Sequence, residues 1–493
     1  MATAQPTLNA ENLALGGGGT AYLSGVNALF YNPANLMIRE HEPAGELVIG
    51  QLAFSAEPVI SSEQLKQQWN YNRWFVKPYR QDKIPASTAL TPVNRPDFLD
   101  TNFPQENDHR STHFAYGESV HLGLVWRRPQ KAWALGIRSR YGNRFTIGKG
   151  WYSADAVPNS NEELIIDRSL RQQIQVMHEV SFGFSQSFTY LNGLHNNLRR
   201  LYIGISPKFI IAGTYQDAVL EDKVFPQSDS SATNFNYRSS GVLTQNFNRH
   251  WNAMHSGNAA ANPPFQTNEL WEPTGYGAGI DFGLSYVLTL SDDLSILGQN
   301  INKKGTYKSI RLGLSITDLG WISYQENTFQ RELIDDNRPT LNNTALESSI
   351  FLGSPGEFST MVDHLPSESD GEQIYRTSSE NYRVMLPTAL HFGTLIEYNR
   401  MEVMGDVTLG LRKSAYYTDN PIYRLGVQLT PLKILPLRGG IQYYPGNPLK
   451  FSFGTGIETQ SWSLNVGTML STRRNDVFYE VTASATGILQ IRF

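Results

Sequence analysis

Residue types able to do chemistry are sparse and scattered in this sequence. The chain has no Cys, which removes disulfides, thiolate metal sites and thiol nucleophiles. His250 and His255 are five residues apart, a spacing that suits neither one helix face nor one strand face for metal binding. Ser315 follows Gly313 but lacks the second glycine of a nucleophile elbow. We therefore expect no catalytic residue, no metal and no cofactor, and a protein that is not an enzyme.

Ionisable residues become informative when they share one face of a strand. Cations and anions are about equally common on the faces that alternate with apolar residues, including Arg138, Arg140, Lys208, Asp281 and Arg311. A selectivity ring uses charges of a single sign, whereas mixed signs favour salt bridges. We therefore predict an electrically neutralised interior in which ion pairs hold separate parts of the chain together.

The elements that must position these residues are long amphipathic strands. Between Tyr276 and Leu290 apolar residues occupy the even positions, and Gly, Asp, Ser or Thr occupies most odd ones. The stretch from Arg200 to Gln216 has the same period of two. Soluble strands average about 5–6 residues, so these lengths favour a sheet that faces lipid on one side.

Fourteen such segments occur, and the connections between them alternate between long and short. An all-β fold is therefore predicted: a 14-stranded antiparallel transmembrane β-barrel whose termini both lie in the periplasm. The long extracellular loops are predicted at 56–110, 148–174, 217–274 and 325–384. The strands are predicted at 45–55, 111–126, 132–147, 175–190, 200–216, 275–290, 308–324, 385–399, 401–417, 421–432, 436–446, 449–459, 461–471 and 477–493.

The composition agrees with a surface that is short of charge. Only 17% of the residues are charged and the net charge is −4, so we expect no nucleic-acid partner. No apolar run approaches the ~18 residues that a membrane-spanning helix needs. Lipid of an outer membrane is the partner that the alternating strands predict.

The chain ends in an amphipathic strand with a terminal aromatic, Phe493. This ending resembles the assembly signal of Gram-negative outer-membrane barrels, which implies the barrel assembly machinery as a partner.

A resemblance to a known superfamily rests on two N-terminal stretches. Gly16-Gly17-Gly18-Gly19 and the later Asn32-Pro33-Ala34 resemble the Gly-rich segment and the Asn-Pro-Ala motif of the long-chain fatty-acid transporter (FadL-like) superfamily. The segments 275–283 and 313–320 resemble the branch that contains the PorV barrel of type IX secretion. The resemblance implies transport of hydrophobic small molecules, or alternatively a shuttle barrel that binds secreted or surface proteins.

The residues around the glycine run predict a plug, or hatch, at 1–44 inside a barrel at 45–493. A phosphate-binding loop is excluded, because no Lys follows the glycines before Arg39. A flexible spacer is the competing interpretation. Apolar residues such as Leu13, Tyr22 and Phe30 flank the glycines, and a solvated spacer would not need them.

Pro207 lies in the middle of a predicted strand and lacks the N–H that a closed ladder requires. A bulge without consequence is one interpretation. The other is a gap in the wall through which an apolar ligand reaches the outer leaflet, with Lys208 holding an acidic headgroup.

The first predicted loop contains an aromatic cluster that includes Trp69, Tyr71 and Trp74. Such a surface can bind a peptide, a glycan or another outer-membrane or secreted protein, and it can equally form the core of the loop itself.

Overall fold

The computed structural model describes most of the barrel and a stretch near the N-terminus. The aromatic cluster at Trp69, Tyr71 and Trp74 lies outside the described residues. The residues that the structure describes are 8–38, 44–56, 99, 103, 108–151, 153, 155–159, 161–191, 198–226, 231–242, 272–290, 308–325, 328–333, 368–369, 372–373, 375–417, 420–445, 449–472 and 479–493.

Fourteen antiparallel strands form a closed barrel, because the last strand pairs with the first. The predicted fold class is confirmed. No helix among the described residues is both long enough and apolar enough to span a bilayer. The barrel strands are β1 Gly45–Ala56, β2 Arg110–Arg128, β3 Lys131–Gly148, β4 Leu170–Leu191, β5 Leu198–Pro226, β6 Gly275–Thr289, β7 Lys308–Tyr324, β8 Ala389–Tyr398, β9 Met401–Gly410, β10 Ile422–Leu432, β11 Leu435–Tyr443, β12 Lys450–Glu458, β13 Trp462–Thr472 and β14 Tyr479–Arg492.

The two faces of the strands divide as the alternation predicts. In β6, Phe282 and Leu284 are about two-fifths exposed on the outside, whereas Asp281 and Ser285 are fully buried inside. Trp126 and Trp133 pair beside the short turn between β2 and β3, with ring centroids 6.4 Å apart and both rings exposed. An apolar outer face with aromatic residues near its edge is typical of a barrel in lipid.

Shorter elements extend the barrel at the end that carries the long loops. The strand Ser231–Val242 pairs with residues 215–226 at the long-loop end of β5. The strand Tyr382–Met385 continues the pairing of β8 along β7. The remaining elements there are a 3₁₀ helix at Lys149–Trp151 and strands at Val157–Pro158, Leu164–Asp167, Thr328–Leu333, Glu368–Ser369, Glu372–Gln373 and Tyr375–Ser378.

Some predicted boundaries differ from these bounds. Residues 170–174 and 217–226, predicted in loops, continue β4 and β5, and Leu170 pairs with Leu220. The alternation is lost there because neither face has to meet lipid. The strand predicted at 401–417 ends at Gly410, and the buried side chains Tyr416 and Tyr417 pack inside the barrel instead.

The N-terminal residues 8–38, which we call the plug segment, lie inside the barrel and are almost entirely buried. The segment comprises helix α1 Ala10–Ala14, helix α2 Gly25–Leu29 and a 3₁₀ helix Pro33–Met37. Asn9 and Asn12 form a reciprocal capping box at the start of α1. Asn32 caps the 3₁₀ helix, whose first position is Pro33.

Candidate functional site

The wall and the plug segment meet through glycines on the inner face of the barrel. Several of these glycines are directly opposite each other on neighbouring strands, so they leave shallow depressions in which the plug segment lies. We call these inward-facing glycines the glycine girdle. Its paired members are Gly123 with Gly136, Gly204 with Gly283, Gly313 with Gly393, Gly426 with Gly440, and Gly454 with Gly467.

Backbone atoms of the plug segment occupy the space that side chains would need. A Cβ at Gly313 would lie 2.5 Å from the carbonyl oxygen of Thr20, and one at Gly426 would lie 2.7 Å from that of Leu15. Residues 10–21 follow the wall from β13 to β7, and residues 26–34 follow it from β2 to β6. The two arcs together line the interior of the barrel.

The predicted plug residues Gly16, Gly17, Gly18 and Gly19 lie against β9 and β11. Gly16 and Gly17 have φ angles of +88° and +86°, which residues with a Cβ rarely adopt. A Cβ at Gly16 would lie 2.6 Å from the carbonyl oxygen of Ile441. The glycine run therefore serves close packing against the wall rather than flexibility.

Wall carboxylates fix the plug segment through its backbone N–H groups. Asp406 accepts hydrogen bonds from the N–H groups of Gly19 and Thr20 at 3.1 and 2.9 Å. Glu46 accepts one from Val26 at 2.9 Å, and Glu118 accepts one from Leu8 at 3.0 Å. Hydrogen bonds to charged acceptors are worth about 1.5–3 kcal/mol each.

Asn32 and Pro33 lie where the two arcs meet. The Asn32 amide donates to the carbonyl oxygen of Thr20 at 2.7 Å and to the Ser285 hydroxyl at 3.0 Å. The Asn35 amide donates to the same Thr20 carbonyl at 3.0 Å. The Asn-Pro-Ala motif thus ties the arcs to each other and to β6.

Four of the predicted lumen residues, Arg138, Arg140, Lys208 and Asp281, come together in a buried cluster that we call the charge layer. Arg140 donates two hydrogen bonds of 2.9 Å to Asp318. Lys208 Nζ lies 2.7 Å from Asp318 and 2.8 Å from Asp281. Arg138 contacts Glu118 at 3.2 Å and Glu179 at 2.6 Å. The charge layer has three cations and four anions, so opposite charges are matched almost completely.

Lys208 is held within the charge layer by ion pairs. Its ammonium lies between two wall carboxylates, and the residue as a whole is 4% exposed. The positive charge that would attract an acidic headgroup is therefore already matched. Arg311 lies apart from the charge layer, where it donates to the carbonyl oxygen of Ala21 at 2.9 Å and pairs with Glu397 at 3.4 Å. It therefore holds the plug segment against β7.

Asp318 and Glu118 are members of the charge layer that sequence reasoning missed. The register of β7 against β6 shifts between Ile316 and Leu319, and Asp318 in this bulge has a φ of +58°. Bulges redirect a side chain relative to the regular alternation. The signal in the sequence was the adjacent polar pair Thr317-Asp318, which interrupts the period of two.

Pro207 coincides with an interruption in the ladder between β4 and β5. Ser181 pairs with Lys208, and pairing resumes at Phe184 with Ile205. The two intervening pairs, which would include Phe182 with Pro207, are not formed in this described stretch. The register is the same on both sides, so the bulge considered for Pro207 is absent here; the missing N–H accounts for the interruption.

Apolar residues of the plug segment lie directly behind this interruption. A Cβ at Gly183 of β4 would contact the side chains of Leu29 and Leu36. Gly204 of β5 lies against the backbone of Pro33 and Ala34. The plug segment therefore packs against the inner side of the wall at the interrupted part of the ladder.

Phe493 takes part in the closing seam of the barrel. Its N–H donates to the carbonyl oxygen of Gly45 at 3.0 Å, and its own carbonyl oxygen accepts from the Gly45 N–H at 2.7 Å. Its side chain is 68% exposed. The terminal aromatic thus lies at the short-turn end, beside the start of β1.

These features define a transmembrane β-barrel whose interior is filled by its own N-terminal segment. The chain belongs to the family of unknown function DUF5723, whose model matches residues 58–477. No curated protein matches the sequence.

Solved structures with which the chain can be superposed include two toluene transporters and a FadL homologue. The toluene transporter TbuX of Ralstonia pickettii is 11% identical, with 99% of each chain covered and a TM-score of 0.43. The toluene transporter TodX of P. putida is 11% identical, with 99% of each chain covered and a TM-score of 0.39. A Pseudomonas aeruginosa FadL homologue is 10% identical, with 100% of each chain covered and a TM-score of 0.42. The fold assignment rests on the strand pairing described above.

Proposed function

We propose that this protein is an outer-membrane channel for apolar small molecules, which leave the lumen sideways between β4 and β5. The observation that carries the proposal is the interrupted ladder at Pro207. Two missing pairs correspond to about 7 Å of strand length. We place the short-turn end, with both chain termini, in the periplasm.

The surroundings of the interruption favour an apolar cargo. Phe182 is 56% exposed on the outer side, next to the exposed ring of Pro207. Leu29, Leu36 and Ala34 of the plug segment lie on the inner side. A molecule passing here meets carbon atoms on both sides, whereas the axial route crosses the charge layer.

A reversible crosslink across the interruption tests the proposal. The natural chain has no Cys, so Phe182→Cys with Pro207→Cys introduces one unique pair. Opposite residues of antiparallel strands have Cα atoms about 4.5–5.5 Å apart, which suits a disulfide. Uptake of toluene into proteoliposomes is expected to fall when this pair is oxidised and to recover in the same sample after reduction.

The matched control places the crosslink where the ladder is intact. Val180 pairs with Phe209 on the outer side of the same two strands, so Val180→Cys with Phe209→Cys closes no gap. Its oxidation is expected to leave uptake unchanged. Equal uptake in the oxidised and reduced forms of the Phe182 and Pro207 pair would contradict the lateral route.

Pro207→Ala supplies a second test without a crosslink. Restoring the N–H lets the two missing pairs form, so uptake is expected to fall while the barrel stays at least as stable. The competing hypothesis, a PorV-like barrel that binds secreted proteins through loops such as that of Trp69, Tyr71 and Trp74, predicts no uptake in any variant and co-purification of such a protein.

A further inference from the structure

The loop after β9 turns into the lumen and crosses it. We call residues 411–417 the strap. Its side chains Ala415, Tyr416 and Tyr417 are 4%, 0% and 0% exposed. The Ser414 hydroxyl accepts hydrogen bonds of 3.1 Å from the N–H groups of both Tyr416 and Tyr417, which holds the strap in a tight turn.

The Tyr416 side chain fills a pocket on the opposite wall, formed by β2, β3 and β4. The guanidinium carbon of Arg140 lies 5.3 Å from the centroid of the Tyr416 ring. The Tyr116 ring meets it edge-on, with centroids 5.9 Å apart and an interplanar angle of 80°. The Tyr416 hydroxyl donates to the carbonyl oxygen of Gln175 at 2.8 Å.

Gly142 provides the space for this ring. A Cβ at Gly142 would lie 2.8 Å from the Tyr416 ring, so only glycine leaves the pocket deep enough. The pocket thus combines a cation over a ring face, an aromatic edge contact and a backbone acceptor for a hydroxyl. Each of these contacts recognises a feature of a phenol.

We propose that this pocket is a binding site for small neutral phenols and that Tyr416 is its built-in occupant. A phenol arriving from the long-loop end replaces the Tyr416 ring, and the strap moves away from the wall. This inference rests on the proposed channel function and specifies a class of its cargo. It also links the cargo to the charge layer, because Arg140 holds Asp318 as well as the Tyr416 ring.

The groups around the pocket set the ligand preference. An arene without a hydroxyl leaves the Gln175 carbonyl without this donor, and one hydrogen bond of this kind corresponds to about 2- to 10-fold in affinity. An aromatic carboxylate is disfavoured, because the positive charge of Arg140 is already matched by Asp318 and Glu179.

Labelling of a single cysteine in the strap tests the proposal. Ala415→Cys gives a buried thiol in a chain that otherwise has none. Phenol is expected to raise its rate of modification by a maleimide in a saturable manner. Toluene is expected to need about 2- to 10-fold higher concentrations for the same effect. Calorimetric titration of the unmodified protein with phenol and toluene gives an independent measure of the same preference.

Two variants of the strap separate recognition from packing. Tyr416→Phe removes the competing hydroxyl, so the phenol concentration for half-maximal labelling is expected to fall by about 2- to 10-fold. Tyr417→Phe is the matched control, since the Tyr417 hydroxyl has no hydrogen-bond partner among the described residues and its removal is expected to leave the response unchanged.

The outcomes distinguish this inference from the proposed function. Equal responses to phenol and toluene, or no response to phenol by either method, would overturn the phenol site even if toluene uptake through the wall is observed. If the crosslinking experiment contradicts the lateral route, the binding and labelling results for the phenol site remain valid.

Discussion

Adding a single methyl group to the glycine girdle is expected to displace the plug segment. Gly440 faces inward on β11, and a Cβ there would lie 2.6 Å from the backbone nitrogen of Gly16. Ordinary contacts begin at about 3.4 Å, so the plug segment or the wall must move by nearly an ångström. Both partners are backbone, which cannot rotate away as a flexible side chain does.

The expected cost follows from the behaviour of well-packed interiors. Overpacking costs about 1–3 kcal/mol, and Gly440→Ala is expected to lower the free energy of unfolding by that amount. The adjacent Gly439 faces outward, and the nearest atom to its Cβ would be the Ser452 carbonyl oxygen at 3.9 Å. Gly439→Ala should therefore change the free energy by no more than about 0.5 kcal/mol.

Guanidinium unfolding in detergent micelles, followed by tryptophan fluorescence, measures both variants. Limited proteolysis of the plug segment reports its displacement directly, and Gly440→Ala is expected to be cleaved faster within residues 8–38. Equal stability and equal cleavage of the two alanine variants would refute the packing of Gly16 against this part of the wall.

Further perturbations test other parts of the molecule. Leu284→Arg places a charge on the lipid-facing surface and, for a residue near the bilayer midplane, is expected to destabilise the barrel by about 2–4 kcal/mol in unfolding measurements. Ser285→Arg is also expected to destabilise the barrel, because the Ser285 hydroxyl contacts Asn32 and Asn35 and leaves no space for a larger side chain. A tolerated arginine at position 285 would contradict the filled lumen. Deletion of residues 12–36 is expected to raise unselective leakage of small polar solutes from proteoliposomes, and an unchanged leak would show that other parts of the chain close the barrel. Burial, reinforced by the negative charge of Glu458, raises the pKa of Glu11 in α1 from its ordinary 4.5 to about 7. Docking of the plug segment is therefore expected to weaken when the pH rises from about 4.5 to 7, as measured by proteolysis. Glu11→Gln should abolish this pH dependence.

The period of two was sufficient to predict the barrel because lipid imposes it. Every outward residue of a membrane-spanning strand must be apolar, so stretches such as 275–290 carry a signal that neighbouring contacts do not alter. Where the strands leave the membrane, that constraint ends. The upper parts of β4 and β5 therefore read as loops, although Leu170 and Leu220 pair there.

The glycines illustrate a different limit. The run at 16–19 marked a special segment, but alternating glycines such as Gly426 and Gly440 give no indication of what they contact. Their meaning depends on register, because Gly426 pairs with Gly440 and both face the backbone of Leu15, more than 400 residues away in the sequence. A linear pattern cannot show such a contact, since it arises only when the barrel closes around the plug segment.

Asp318 combines both limits at the site that matters for the proposed function. Strict alternation would place both Ile316 and Asp318 on the outward face of the strand. The bulge at 316–319 and the positive φ of Asp318 instead bring its carboxylate to Arg140 and Lys208. Through these two cations the same residue connects the pocket of Tyr416 with the strand that carries Pro207. A backbone conformation of this kind costs of order 1–3 kcal/mol and persists where the surroundings hold it in place. The charge layer supplies that hold, and within it Asp318 contacts both Arg140 at the Tyr416 pocket and Lys208 on the strand whose ladder is interrupted.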